Sequence, residues 1–197
     1  MIKHLYFIRH AETEANLQQC LMGGRMDSPL TEKGTNQAEA LRSQIETLPI
    51  EVFYVSTNMR AQNTANILNK NKMIAFVTTD EVKEQDFGDM TGVLLKDIPS
   101  EVDELYKQDP YYFSHQNGES LHEVKVRVGK FLEKILTDTL YEHIAIVTHE
   151  NVIRAAVAYM KNLDREVIAL KIPHCSVSHY ISKNNQDYYA LDFIRCY

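Results

Sequence analysis

Only three cysteines, Cys20, Cys175 and Cys196, occur in the 197 residues. They are odd in number and far apart, and no CxxC or other metal-ligand spacing links them. Neither a disulfide framework nor a zinc site is indicated, and reduced thiols in a cytoplasm are expected. Long basic tracts are missing too. With a net charge of −6, neither nucleic acid nor an anionic membrane is the expected partner, although a locally positive pocket is allowed. No apolar run approaches the ~20 residues that cross a bilayer. The N-terminus runs into charge at Arg9 and has no signal-peptide pattern. Internal repeats, linkers and low-complexity segments are also lacking. What is there is the composition of a soluble globular protein, 44% apolar and 24% charged. The length suits one domain, residues 1–197, with a substantial core.

The chain alternates strand-like and helix-like segments. Leu5 to Ile8 is a continuous apolar run, too short for most helices, and reads as a buried strand of a parallel sheet. Arg9 and His10 follow where that strand leaves the sheet. Ligands of open α/β sheets bind in the crevice beyond those carboxyl ends. Arg9 offers a fixed charge and a bidentate fork, and a neutral His10 offers a nucleophilic nitrogen. Both suit phosphate; the alternative is a strand-end Arg and His that merely face water. After Thr13 a polar run through Gln19 is compatible with a short helix, and Gly23 to Pro29 is a loop. Thr31 then caps a helix whose Ala38, Leu41 and Ile45 share one face, ended by Pro49. Val52 to Val55 is a second strand. Ser56, Thr57 or Asn58 caps the next helix, which runs to Leu68 and places Arg60 in its first turn. A cation there opposes the helix dipole, and a bound anion would offset the cost; a surface arginine is the alternative.

Ile74 to Thr78 reads as a third strand. Glu84 to Gly92 is a loop in which Glu84 is, on local grounds, one carboxylate among many. Leu94 to Tyr106 is helix-compatible, broken by Pro99. The aromatic segment Asp109 to Gly118, with Tyr111, Tyr112, Phe113 and His115, either packs onto the body or walls a substrate pocket. Ser120 to Leu140 is a long amphipathic helix with a stripe of Leu121, Val124, Val128, Phe131, Leu132 and Ile135. Arg127 lies off that stripe, as a surface or buttressing charge. Ile144 to Val147 is a fourth strand, and His149 repeats the placement of His10 at a strand end before a helix. The HExxH zinc motif fails, because Ile153 stands where its second histidine belongs. Val167 to Ile172, Val177 to Ile181 and Tyr188 to Ile194 read as a strand-rich finish, with a hairpin turn over 183–187. His174 and His179 read as structural or surface residues.

Six ordered blocks resemble the histidine phosphatase superfamily, the clan of cofactor-dependent phosphoglycerate mutases and related phosphatases. Arg9-His10-Ala11-Glu12-Thr13, with Asn16, resembles the Arg-His-Gly-Glu-Thr signature. Gly24 to Thr31, with Gly34, Gln37 and Ala38, resembles the second block. Ser56 to Ala65 is similar to the Ser-xxx-Arg-Ala-xx-Thr-Ala helix, and Glu84 to Gly92 to the Glu-xx-Phe-Gly-xxx-Gly loop. Gly118-Glu119-Ser120, and Thr148-His149 with Val152-Ile153-Arg154, complete the set. The resemblance implies an α/β fold, a three-layer α/β/α sandwich with a mostly parallel central sheet. It also implies His10 as the nucleophile that takes the phosphoryl group. Arg9, Arg60 and His149 would hold the outer oxygens, and Asn16 would add a donor. Glu84 would protonate the leaving oxygen and then assist water. No metal and no cofactor are implied.

Two departures stand out. Ala11 replaces the usual glycine and adds a methyl near the phosphate. Glu150-Asn151 replaces a small pair; Glu150 either favours the helix N-terminus or sits near the phosphate and opposes anion binding. The interval Val93 to Asn117 is shorter than in the mutases of this clan. The expected activity is therefore hydrolysis of a small phosphomonoester, a phosphorylated metabolite. Phosphoglycerate mutation, or silent binding of a phosphorylated ligand, is the alternative. Glu84 argues against a pure binder, which has no use for a proton donor. A homodimer is left open.

Overall fold

The computed structural model describes residues 2–183 and 187–194. Among them six strands form one sheet: β1 (Ile2–Arg9), β2 (Val52–Ser56), β3 (Ala75–Thr79), β4 (His143–Thr148), β5 (Val177–Lys183) and β6 (Asp187–Ile194). Their order is β3-β2-β4-β1-β5-β6. The first four in that order run parallel, and β5 and β6 are antiparallel additions at one edge. The mostly parallel α/β architecture is as expected.

Alternation along the central strands explains the layers. Leu5 and Phe7 of β1, with Ile144 and Ile146 of β4, face one apolar cluster. That cluster is covered by α5 (Leu121–Asp138) and α6 (Glu150–Lys161). Tyr6 and Ile8, with Ala145 and Val147, face the other, covered by α2 (Glu32–Ile45) and α3 (Met59–Leu68). Because side chains alternate with period two, a strand with apolar residues at every position is dictated by helices on both faces. Two short helices complete the set, α1 (Glu14–Leu17) and α4 (Ser100–Gln108).

Caps set several boundaries. The Thr31 hydroxyl accepts from Gly34 N at the start of α2. Ser120 and Glu123 form a reciprocal capping box at the start of α5. Pro99 ends a 3₁₀ turn over Leu95–Asp97 and sits at the N-cap of α4. The expected strand over 167–172 is instead a 3₁₀ helix, Arg165–Ala169, followed by an irregular strap. Its carbonyls are taken by side chains rather than by a sheet partner. Arg154 donates to Leu170 O at 2.8 and 3.1 Å, and Arg9 donates to Ile172 O. The expected hairpin turn falls largely on 184–186, outside the described residues, as does Cys196.

The first turn of α2 clamps the loop after β1. Thr31 N donates to Glu12 O at 3.0 Å, and Thr31 Oγ1 and Lys33 Nζ each lie 3.0 Å from the Glu12 carboxylate. Gly34 permits this approach, since a Cβ there would lie 2.1 Å from Glu12 O. Gly34→Ala must push that loop aside. It is expected to cost about 1–3 kcal/mol, the usual range for overpacking. Thermal melts should show a Tm several degrees lower, and an unchanged Tm would contradict the clamp.

Candidate active site

The parallel strands β1, β2 and β4 end on one edge, and that edge collects the expected residues. Arg9 is the last residue of β1, and His10 follows it. Arg60 lies in the first turn of α3, after β2. His149 is the N-cap of α6, directly after β4. The ring centres of His10 and His149 are 5.2 Å apart, and both imidazoles are buried.

His10 Nδ1 lies 2.7 Å from the carbonyl oxygen of Ala11. A carbonyl only accepts, so Nδ1 carries the proton and Nε2 keeps its lone pair. Burial, followed by the Arg60 and Arg9 charges, pushes the His10 pKa well below its ordinary value. The ring is thus a neutral imidazole with a nucleophilic nitrogen. His149 is lowered in the same way, by burial and then by Arg60. Its Nε2 meets Ser56 Oγ at 2.7 Å, while its buried Nδ1 has no partner among the described residues.

Arg60 is 1% exposed, and its guanidinium is fixed in place. Nη1 donates to Met26 O and to Asp27 Oδ1, and Nη2 donates to Gly23 O, all at 2.8–2.9 Å. Asp27 also accepts from Met59 N at 2.8 Å and Arg60 N at 3.3 Å. Asn58 holds the N-cap position of α3 without a side-chain cap bond. The anion at this helix N-terminus is therefore the Asp27 carboxylate, reaching in from the glycine loop. It offsets the unfavourable Arg60–dipole interaction and aims the guanidinium. Arg60 Nε and Arg9 Nε are buried without partners among the described residues.

Glu84 is half-buried, in the segment between β3 and the turn at Gly88. Burial raises its carboxyl pKa, against the Gln85 N–H and the Arg60 and Arg9 charges, which lower it. Arg127 holds this segment. It donates to Glu81 O and Lys83 O at 2.8 and 3.1 Å, and pairs with both oxygens of Glu119. Of the two roles open from sequence, Arg127 thus buttresses. A cleft of about 310 Å³ opens beside Gln85, with Leu21, Phe87, Tyr106 and His115 on its walls. Tyr111, from the same aromatic segment, is instead buried in the core.

Four placements differ from the simplest expectation. Asn16 belongs to the α1 capping box, where its Oδ1 accepts from Thr13 N and Oγ1. Its amide nitrogen carries neither bond. The Ala11 methyl packs into the cluster under α2 and α3, so the glycine replacement is absorbed by the core. Glu150 turns toward the site, 2.9 Å from Arg9 Nη1 and 2.7 Å from Arg154 Nη2. It occupies one guanidinium nitrogen of Arg9 and ties it to α6. His174, read as structural or surface, has its ring centre 5.5 Å from that of His10. The signal it lacked is strand direction. β5 runs antiparallel to β1, so the loop before β5 lies at the edge where β1 ends.

The family model for the histidine phosphatase superfamily (branch 1) matches residues 5–191. The chain belongs to that superfamily. Among curated members, it is 28% identical to the adenosylcobalamin/alpha-ribazole phosphatase of Escherichia coli K12, over 83% of this chain and 82% of that protein. It is 29% identical to phosphoserine phosphatase 1 of Hydrogenobacter thermophilus, over 83% of this chain and 78% of that one. Among solved structures, Bacillus stearothermophilus YhfR superposes with a TM-score of 0.87 at 26% identity, covering 95% of each chain. Arg9, His10, Arg60, Glu84 and His149 of this histidine phosphatase superfamily member all lie within the matched span.

Proposed function

We propose that this protein hydrolyses small phosphomonoesters through a phosphohistidine on His10, as one domain and without a metal. The observation that carries the reading is the His10 Nδ1 contact with the Ala11 carbonyl, which leaves Nε2 as a neutral nucleophile in a cationic crevice. Its relatives include phosphatases of this superfamily. Among the described residues no cluster of three or more His, Cys, Asp or Glu could hold a metal ion, and no helix is long and apolar enough to cross a membrane. A cytoplasmic location rests on the cysteine pattern alone.

His10 Nε2 attacks phosphorus, and the P–O ester bond breaks. Glu84, whose carboxyl pKa burial raises, gives its proton to the departing oxygen, and the alcohol leaves. Arg9, Arg60 and His149 hold the three outer oxygens, with the Asn16 amide as a further donor. Phosphoryl transfer needs mainly positioning and charge stabilisation, which fixed guanidinium groups supply. The Glu84 carboxylate then takes a proton from water, the water oxygen attacks phosphorus and the P–N bond breaks. Inorganic phosphate leaves with His10 restored.

A panel of phosphorylated metabolites, scored by phosphate release, tests the reading and finds the substrate. Release from at least one ester is expected. Interconversion of phosphoglycerates with little release would instead make the protein a mutase. Activity is expected to be unchanged in excess chelator, because arginines fill the place of a metal. Loss that a divalent ion restores would contradict metal independence.

A further inference from the structure

His10 is flanked by two imidazoles. His149 lies at 5.2 Å between ring centres and belongs to the expected set. His174 lies at 5.5 Å, tilted 48° to the His10 ring. The segment that carries His174 is anchored on both sides. Arg9 donates to Ile172 O, and Cys175 N donates to Arg9 O at 3.1 Å. Cys175 reverses the chain with a φ of +52°, a conformation that costs energy for a residue with a side chain. The strap thus grips both flanks of Arg9, and His174 sits between the two grips.

Among the described residues, four buried nitrogens around His10 have no partner: Arg9 Nε, Arg60 Nε, His149 Nδ1 and His174 Nε2. Three belong to residues expected to hold phosphoryl oxygens. A buried donor left unpaired costs about 1–3 kcal/mol, so the two arginine N–H groups call for an acceptor, and a ring nitrogen does so when it carries the proton. We propose that His174 is a further phosphoryl-binding residue, donating from Nε2 to an outer oxygen of the group on His10. Burial and the Arg9 charge push its pKa down to about 3, so the ring is neutral and carries one N–H. Glu12 and Lys33, also near it, are paired with each other at 3.0 Å. The proposal rests on the phosphoryl-transfer reading above.

Orthovanadate binding by the whole chain is the test, with His174→Ala, His174→Gln and His174→Phe alongside wild type. Gln places an amide N–H near the position of Nε2, and Phe keeps the ring without the donor. Ala and Phe are expected to weaken binding by roughly 10- to 100-fold, the loss of one hydrogen bond to a charged group. Gln is expected to recover most of it. Alanine binding as tightly as wild type overturns the proposal. Gln binding no better than Phe also overturns it, since packing alone would then explain the residue. Failure of wild type both to bind orthovanadate and to release phosphate from any ester would instead remove the site reading itself.

Discussion

Turnover by the His10→Ala protein is expected to fall by roughly 10⁴-fold or more on every phosphomonoester, the scale seen when a covalent nucleophile is removed. The fold should survive. The His10 ring makes one hydrogen bond, to the carbonyl of its neighbour Ala11, and is not itself part of either apolar cluster. The backbone that carries it is held independently: His10 N donates to Thr148 O at 2.9 Å, and Ala11 N donates to Thr64 Oγ1 at 3.0 Å. Melting curves should therefore stay close to wild type while activity vanishes. The companion experiment quenches wild type during turnover and maps the covalent phosphate. Acid-labile phosphate on His10 is expected. Phosphate on a serine, or full activity in the alanine variant, would refute the assignment.

The candidate site was legible in the sequence wherever a strand's apolar run stops abruptly at a charged or ionisable residue. Ile8-Arg9-His10 and Val147-Thr148-His149 both do this, and the structure places both at the edge where β1 and β4 end. The core strands were legible for the same reason: burial on both faces leaves Leu5 to Ile8 and Ile144 to Val147 without a charged residue. Glu84 was not legible locally, because its neighbours Glu81 and Asp86 look alike. Only the ordered blocks picked it out, and its burial near Arg60 and Arg9 depends on chain segments far apart in sequence. Asp27 as the cap of α3 was hidden likewise, since Ser56, Thr57 and Asn58 all suit that role on propensity. The strap over 170–173 looked like a strand because Val167, Ile168, Leu170 and Ile172 are apolar. Its carbonyls were claimed by Arg154 and Arg9, a tertiary fact that overrides a local pattern. The Glu150 departure had two readings; the structure shows it in the first turn of α6, paired with Arg9 and Arg154.

Glu84→Gln is expected to separate substrates by their leaving groups. The site shifts two groups in opposite directions. Burial raises the Glu84 carboxyl, so it holds a proton to higher pH than a solvated glutamate. Burial and two guanidinium charges lower His10, so it stays unprotonated to lower pH than a solvated histidine. A protonated acid beside an unprotonated nucleophile is the pairing that attack on a phosphate ester requires, and these shifts widen the pH window in which it exists. An alkoxide from an alkyl phosphate leaves poorly and needs the proton. A nitrophenolate leaves well without it. General acid catalysis typically contributes ~10²- to 10⁴-fold, or roughly 3 to 5 kcal/mol of barrier. Phosphorylation of His10 by alkyl phosphates should therefore fall by that factor in the Gln variant, and phosphorylation by p-nitrophenyl phosphate should fall far less. The comparison must be made on the first turnover, by rapid quench, because in the proposed mechanism Glu84 also assists the water that clears the phosphohistidine. The pH profile gives the sign independently. In wild type the alkyl rate should decline as pH rises through the raised Glu84 pKa, and that limb should vanish in the Gln variant. Equal loss on both substrates in the burst, with the limb intact, would mean that Glu84 binds or supports rather than donates. Glu81 and Asp86 would then be the next carboxylates to replace.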